Sequence, residues 1–198
     1  MPIIGVIDSA KTGHLGNPSY NFIATYTLAS DQRTITFSSI PQTYTHLEWR
    51  IVAKSDWSGG GGTGSFAYAT FRGSDASYGL NQLRTDNIAT GTTGSGTDPS
   101  GYTGAPWERI SNGSDSSNVF GIVTAIIPNY RNTNILHSSK SFGSFNRTDA
   151  SPIGAIYNNS TMYYGDKTAI STVTMVPGDG GSGSNFKAGS VFSLYGIG

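Results

Sequence analysis

Residues that could perform acid–base or metal chemistry are sparse in this sequence, and none of them forms a recognised motif. The three histidines, His14, His46 and His137, lie far apart, and none belongs to an HExxH or HxH arrangement, so metal ligation has little support. His46 alternates with the apolar residues of its segment. We therefore interpret His46, and similarly His137, as solvated histidines on strand faces.

Carboxylates give an equally weak catalytic signal. The chain has two glutamates, Glu48 and Glu108. A glycosidase pair of Glu108 with Asp98 or Asp115 stays open, because a sequence does not show the separation of two carboxylates, but nothing besides residue type supports it. Asp179 lacks the alternating oxygen ligands of a calcium loop and is interpreted as a turn residue. We expect no enzymatic activity, no metal and no cofactor.

Two glycine-rich stretches, residues 59–64 and 178–183, formally match GxGxxG. A dinucleotide site needs a strand before this motif and a helix N-terminus after it, whereas both stretches connect predicted strands. We interpret them as flexible loops.

Aromatic residues in or beside polar segments are the candidate binding residues. Such side chains stack on sugar rings, and they also anchor interfaces between subunits. We favour an interface or core role over glycan binding, since the chain carries few charges. The candidates for glycan or interface contacts are Trp57, Tyr102, Trp107, Tyr163 and Tyr164.

Strand patterns recur along the chain, and long segments with helical periodicity are absent. About eight strands with glycine-rich turns predict an all-β, antiparallel β-sandwich that is jelly-roll-like, with a closed barrel as the runner-up. The strand-like segments are residues 20–28, 33–37, 45–53, 65–73, 118–130, 135–146, 154–164, 169–177 and 189–197.

Individual segments give sharper expectations. In residues 45–53 one face carries Leu47, Trp49, Ile51 and Ala53, which predicts a half-buried strand. The continuous apolar run in residues 118–130 predicts burial on both faces. Residues 20–28 and 33–37 are separated by a short polar connection and are predicted to form a hairpin. The final segment, 189–197, carries apolar residues on both faces and is predicted to lie in the middle of a sheet.

The predicted organisation is one domain preceded by an arm. Residues 1–18 fall outside the strand pattern and are expected to form an extended N-terminal arm, followed by a single β-sandwich domain over 19–198. The polar region at about 74–117 is too long for a common loop. We expect it to contain short strands or a turn of helix.

Charged residues make up 12% of the chain, about half the usual share, and the formal net charge is zero. Nucleic acid is therefore not expected as a partner. The chain has no cysteine, which excludes disulfides. We also expect no signal peptide and no membrane span.

Three segments together resemble small structural proteins of tailed bacteriophages, especially phages of cyanobacteria. They are TITFSSIPQTYTHLEWRI (34–51), NVFGIVTAIIPNYRNTN (118–134) and ISTVTMVPGDGGSGSNFKAGSVFSLYGI (170–197). The family pattern is an ITFxxIPxTYxxL stretch, a central buried strand and a terminal strand closing on LYGI. The resemblance spans most of the chain.

The resemblance implies a virion structural protein, assembled in the host cytoplasm and folded as a β-sandwich homotrimer. Because coiled-coil heptads and shaft repeats are absent, we favour a capsid decoration or cement protein that stabilises the shell by binding the major capsid protein or other virion proteins. The alternative is a tail fibre or adhesin domain that recognises host-surface glycans.

Overall fold

A computed structural model describes residues 20–58, 65–71, 78–86, 94–96, 105–147, 154–164, 167–178 and 183–198. The described residues contain twelve β-strands and no helix. The strands are β1 (Tyr20–Thr27), β2 (Ile35–Phe37), β3 (His46–Ala53), β4 (Ser65–Phe71), β5 (Tyr78–Asp86), β6 (Gly94–Gly96), β7 (Ala105–Ile110), β8 (Gly121–Pro128), β9 (Ser138–Arg147), β10 (Gly154–Tyr164), β11 (Val173–Gly178) and β12 (Val191–Ile197).

The strands form two antiparallel sheets. The large sheet has eight strands in the order β1-β12-β3-β8-β9-β10-β5-β6, and the small sheet has four in the order β2-β11-β4-β7. Every pairing within the sheets is antiparallel. The prediction of an all-β antiparallel sandwich is confirmed. The predicted N-terminal arm, residues 1–18, lies outside the described residues.

The core lies between the two sheets. Strands β3, β8 and β12 of the large sheet contribute alternate buried residues, and β2 and β11 of the small sheet pack against them. The rings of Phe37 in β2 and Trp49 in β3 meet edge to face at a centroid distance of 6.3 Å. As the sequence predicted, Leu47, Trp49, Ile51 and Ala53 are all at most 1% exposed.

Two expectations about pairing and burial were wrong. Strands β1 and β2 do not form a hairpin, because β1 pairs with β12 in the large sheet while β2 pairs with β11 in the small one. The segment predicted to be buried on both faces, now β8, alternates instead, and Ile122 is 55% exposed. The apolar side chains of β8 that point away from the core lie on a sheet face that no other described residue covers.

The last strand lies inside the large sheet, as predicted. β12 pairs with β1 on one side and with β3 on the other. Phe192 and Leu194 are fully buried and face the core, while Val191, Ser193 and Tyr195 are half-buried on the other face. The long polar region at 74–117 contains three strands, β5, β6 and β7, and its described part contains no helix.

Candidate interaction surface

The large sheet presents one face away from the core, and we call its described side chains the outer face. The register aligns residues of neighbouring strands on this face: Phe22 lies opposite Tyr195, Tyr195 opposite Glu48, and Val52 opposite Ile122. The outer face includes Tyr20 and Phe22 of β1, Val191, Ser193 and Tyr195 of β12, Glu48, Arg50 and Val52 of β3, Ile122, Thr124 and Ile126 of β8, and Lys140, Phe142 and Ser144 of β9.

An ion pair surrounded by aromatic rings occupies one part of the outer face. Arg50 Nε lies 2.7 Å from Glu48 Oε1, and the Tyr20 hydroxyl donates to Glu48 Oε2 at 2.9 Å. The guanidinium carbon of Arg50 lies 4.9 Å from the centroid of the Tyr195 ring and 5.5 Å from that of Tyr20. The ring of Phe22 meets Tyr195 edge to face at 6.0 Å. Cation–π contacts therefore hold the guanidinium of Arg50 beside the rings of Tyr195 and Tyr20.

This arrangement buries the carboxylate and leaves the cation accessible. The side chain of Glu48 is 5% exposed and that of Arg50 is 55% exposed. The hydrogen bond to Glu48 and its negative charge raise the pKa of Tyr20 above the ordinary value for a phenol. The hydrogen bond to Glu48 is also the main reason that the pKa of Arg50 is raised. The Tyr20 phenol and the Arg50 guanidinium therefore keep their protons around neutral pH. The negative charge of Glu48 is balanced by the neighbouring positive charge of Arg50.

A second part of the outer face is apolar and accessible. Val52 is 42% exposed, Ile122 55% and Phe142 42%. Val52 and Ile122 are direct cross-strand neighbours, and Phe142 on the adjacent strand lies diagonal to Ile122. At the other side of β12, Phe22 is 61% exposed. Large apolar groups that share one face of a sheet are typical of a surface that another molecule covers.

Of the five aromatic candidates from the sequence, Trp57 is the one whose side-chain burial the structure describes. Trp57 follows β3 and is half-buried; its backbone oxygen accepts a hydrogen bond from Gly113 N at 2.8 Å. Trp107 lies in β7 of the small sheet, whereas Tyr163 and Tyr164 lie at the end of β10 in the large sheet. Tyr102 lies outside the described residues. These positions leave the predicted glycan or interface role of the five residues a prediction.

Two of the three histidines, His46 and His137, lie in the described part of the chain. His137 is 2% exposed, so its interpretation as a solvated strand-face residue was wrong; it lies in the connection between β8 and β9, directly before β9. His46 is half-buried, and its Nδ1 accepts a hydrogen bond from Asn129 N at 3.1 Å. Both were assigned from local alternation, which does not report what covers a residue from elsewhere in the chain.

Asp115 is a buried structural carboxylate. It is 5% exposed, and its Oδ2 accepts a hydrogen bond from Asn112 N at 3.0 Å. The ammonium group of Lys54, also buried, donates to the backbone oxygens of Asp115 at 2.9 Å and Ser116 at 3.0 Å. Burial lowers the pKa of Lys54, and the charge of Asp115 opposes this shift. His14, Asp98 and Asp179 lie outside the described residues, as does all of residues 59–64.

Within the part of the chain that the structure describes, no group of three or more His, Asp or Glu residues could hold a metal ion. The same residues contain no helix that is long and apolar enough to cross a membrane.

Sequence reasoning missed the outer-face residues because it weighed only aromatics near loops. Tyr20, Phe22 and Tyr195 lie within strands. One signal could have found part of this face: residues 118–130 are apolar at positions of both parities, so that strand must present large apolar groups on the face that does not enter the core. For β1 no such signal exists, because a register shift between Phe22 and Ala24 decides which of its residues face outward.

Comparisons with known proteins add little. No protein-family model matches the chain, and no curated protein matches it. Among solved structures, the carbohydrate recognition domain of Emp47p aligns over 86% of this chain and 87% of its own, with 10% identity and a TM-score of 0.16. A likeness at this level carries no argument about function.

Proposed function

We propose that this protein is a structural protein of a bacteriophage particle, a capsid decoration or cement protein that binds the major capsid protein through the outer face. The resemblance of three sequence segments to phage virion proteins supports the setting. The single observation that supports the mechanism is the accessible apolar and aromatic surface on strands β1, β3, β8, β9 and β12.

The residue types on the outer face suit a stable interface. Tyr and Arg are among the residues most often responsible for binding energy at protein interfaces. Here Tyr20, Tyr195 and Arg50 form one cluster, and the ring contacts limit the conformations of the guanidinium before any partner arrives. Because Glu48 already pairs with Arg50, covering the cluster does not bury an uncompensated carboxylate.

The size of the outer face also suits a protein partner. Five strands at about 4.8 Å spacing and about 27 Å of strand length give a flat area of roughly 650 Å². A standard protein interface buries about 800 Å² on each partner. Because the formal net charge is zero, many copies of the protein can lie close together on a particle without long-range electrostatic repulsion between them.

The proposal is tested by replacing Ile122 with aspartate and measuring incorporation into particles that lack the protein. Burying a carboxylate in an apolar contact is costly, so Ile122→Asp should remove most incorporation while the variant remains folded by circular dichroism. Ile135→Asp is the matched control, since Ile135 is 39% exposed and lies between β8 and β9, off the outer face. Equal incorporation of the two variants would contradict the role of this face.

Two particle measurements test the cement role itself. Hundreds of copies per particle are expected for a decoration protein, and particles without it should lose integrity sooner on heating and at low salt. Particles that survive these treatments equally well without it would exclude the stabilising function.

The alternative, a tail fibre or adhesin domain that binds host glycans, predicts a few to a few dozen copies per particle. It also predicts that Trp57→Ala together with Trp107→Ala abolishes adsorption to host cells without releasing the protein from the particle. Normal adsorption of this double variant would count against the adhesin.

A further inference from the structure

A polar cleft opens at the end of the sandwich where β8 ends and β3 begins. Its volume is about 400 Å³. This is within the range of small-ligand sites. Its lining consists of Thr45, Asn129, Arg131, Asn132, Thr133 and Asn134.

The loop that forms most of the cleft is held by its own hydrogen bonds. Asn129 adopts a left-handed conformation with φ of 50°, which asparagine tolerates better than most residues. The amide of Asn132 donates to Asn129 O at 2.9 Å, and the amide of Asn134 donates to Asn132 Oδ1 at 2.8 Å. Tyr130, which follows Asn129 in this loop, is fully buried, and its hydroxyl donates a hydrogen bond to Pro41 O. The loop is therefore ordered before a ligand binds, which reduces the entropic cost of binding.

The cleft offers one positive charge and no negative one. Arg131 is exposed, and its Nη1 donates to Gln42 O at 3.1 Å. This bond fixes the guanidinium, and four further N–H donors of the group remain for a ligand. None of the six lining residues is acidic. A planar guanidinium recognises a carboxylate through two parallel hydrogen bonds.

The remaining lining groups are amides and hydroxyls. Each asparagine side chain offers a carbonyl acceptor and two donors, and each threonine hydroxyl both donates and accepts. The lining has no large apolar side chain. A ligand that fits is therefore hydrophilic over its whole surface, carries one negative charge, and presents several hydroxyl or amide groups.

We propose that this cleft binds a carboxylate-bearing saccharide, with Arg131 on the carboxylate and the asparagine and threonine side chains on the sugar hydroxyls. The inference does not depend on the proposed role of the outer face, because the cleft residues are not part of that surface.

The test is titration of the full chain with a glucuronate-containing tetrasaccharide, followed by amide NMR shifts and by calorimetry. The shifts should concentrate at residue 45 and residues 129–134. Arg131→Ala should weaken binding about tenfold or more, as expected for loss of a hydrogen bond between charged groups. Arg131→Lys should recover part of the affinity, because the charge remains and the two-pronged geometry does not.

Arg33→Ala is the matched control. Arg33 is an exposed arginine beside Gln32, whose backbone pairs with Phe186 at the opposite end of β3. This variant should bind as the unaltered protein does.

Two further ligands distinguish the contribution of the carboxylate from that of the sugar hydroxyls. The same tetrasaccharide with its carboxyl groups reduced should bind at least about tenfold more weakly, and inorganic sulfate should bind more weakly than the acidic saccharide at equal ionic strength. Equal binding of the reduced saccharide, equal binding by Arg131→Ala, or no shifts at these residues would overturn the proposal. If sulfate bound as tightly as the acidic tetrasaccharide does, the cleft would be a general anion site, and the proposed specificity for a saccharide would be wrong.

Discussion

The ring of Tyr44 lies directly on the backbone of Gly196. A Cβ atom placed on Gly196 would overlap the Cγ, Cδ2 and Cε2 atoms of that ring. Tyr44 precedes β3 and packs against the core, and Gly196 lies in β12 opposite Leu47. The contact joins the TYTHL stretch at 43–47 to the LYGI stretch at 194–197.

Gly196→Ala should therefore lower the free energy of unfolding, by about 1 to 3 kcal/mol, because the added methyl group forces the ring or the strand to move. Urea unfolding of the purified protein measures this loss. The double variant Gly196→Ala with Tyr44→Ala should lose less than the sum of the two single variants, since the ring that clashes has been removed. Strictly additive losses would show that Tyr44 is not the group that excludes a side chain at Gly196.

The two faces of β8 provide a matched pair of isoleucines. Ile127 is fully buried and Ile122 is 55% exposed. Ile127→Ala should cost about 2 to 5 kcal/mol of unfolding free energy, because it leaves a cavity in the core. Ile122→Ala should change it by no more than about 0.5 kcal/mol in the isolated protein. A large loss for Ile122→Ala would mean that another part of the chain covers the outer face in solution.

Removing the charge of Glu48 should alter the titration of Tyr20. The hydrogen bond and charge of Glu48 raise the pKa of Tyr20, so Glu48→Gln should lower that pKa toward the ordinary value. NMR of the tyrosine ring signals, assigned with Tyr20→Phe, follows the titration. In the unaltered protein the associated stability is present below the ordinary phenol pKa and is lost as pH rises through the raised one.

Glu48→Gln should also cost about 1 kcal/mol at neutral pH, a modest value because the partner Arg50 is more than half exposed. An unchanged Tyr20 titration would contradict the hydrogen bond between Tyr20 and Glu48.

Asp31 should contribute to acid sensitivity. Its carboxylate accepts hydrogen bonds from Lys187 Nζ at 2.5 Å and from Ala188 N at 2.9 Å, joining the connection after β1 to the one before β12. These contacts lower the pKa of Asp31, the bond from Lys187 most. The stability that they provide is present above the ordinary pKa of the carboxyl and is lost as pH falls through the lowered one.

Asp31→Asn should therefore be less stable than the unaltered protein at neutral pH, and the difference should shrink as acid protonates Asp31. Urea midpoints at a series of pH values measure it, and high salt should reduce it because the pair is accessible to solvent. A difference that stays constant down to low pH would show that the charge of Asp31 is not the cause.

The sequence alone determined nine of the segments that form strands and, for several of them, which residues enter the core. Side chains alternate between the two faces of any strand, so Leu47, Trp49 and Ile51 are marked as core residues by a pattern that needs no partner. All nine strand-like segments contain strands of the structure. Strands β5, β6 and β7 lie in the region at about 74–117, where short strands were expected but their bounds were not predicted, because the region is rich in Gly, Ser, Thr and Asp and strand propensity there is weak.

Only the tertiary structure decided which strands pair and which faces remain open. Tyr20 lies opposite Ile197, from the far end of the chain, and this pairing excludes the hairpin that the short connection after β1 suggested. Local alternation could not separate buried His137 from a solvated residue, or exposed Ile122 from a core one. Burial depends on what the rest of the chain places above a residue, and that information is absent from the residue's own neighbours in sequence.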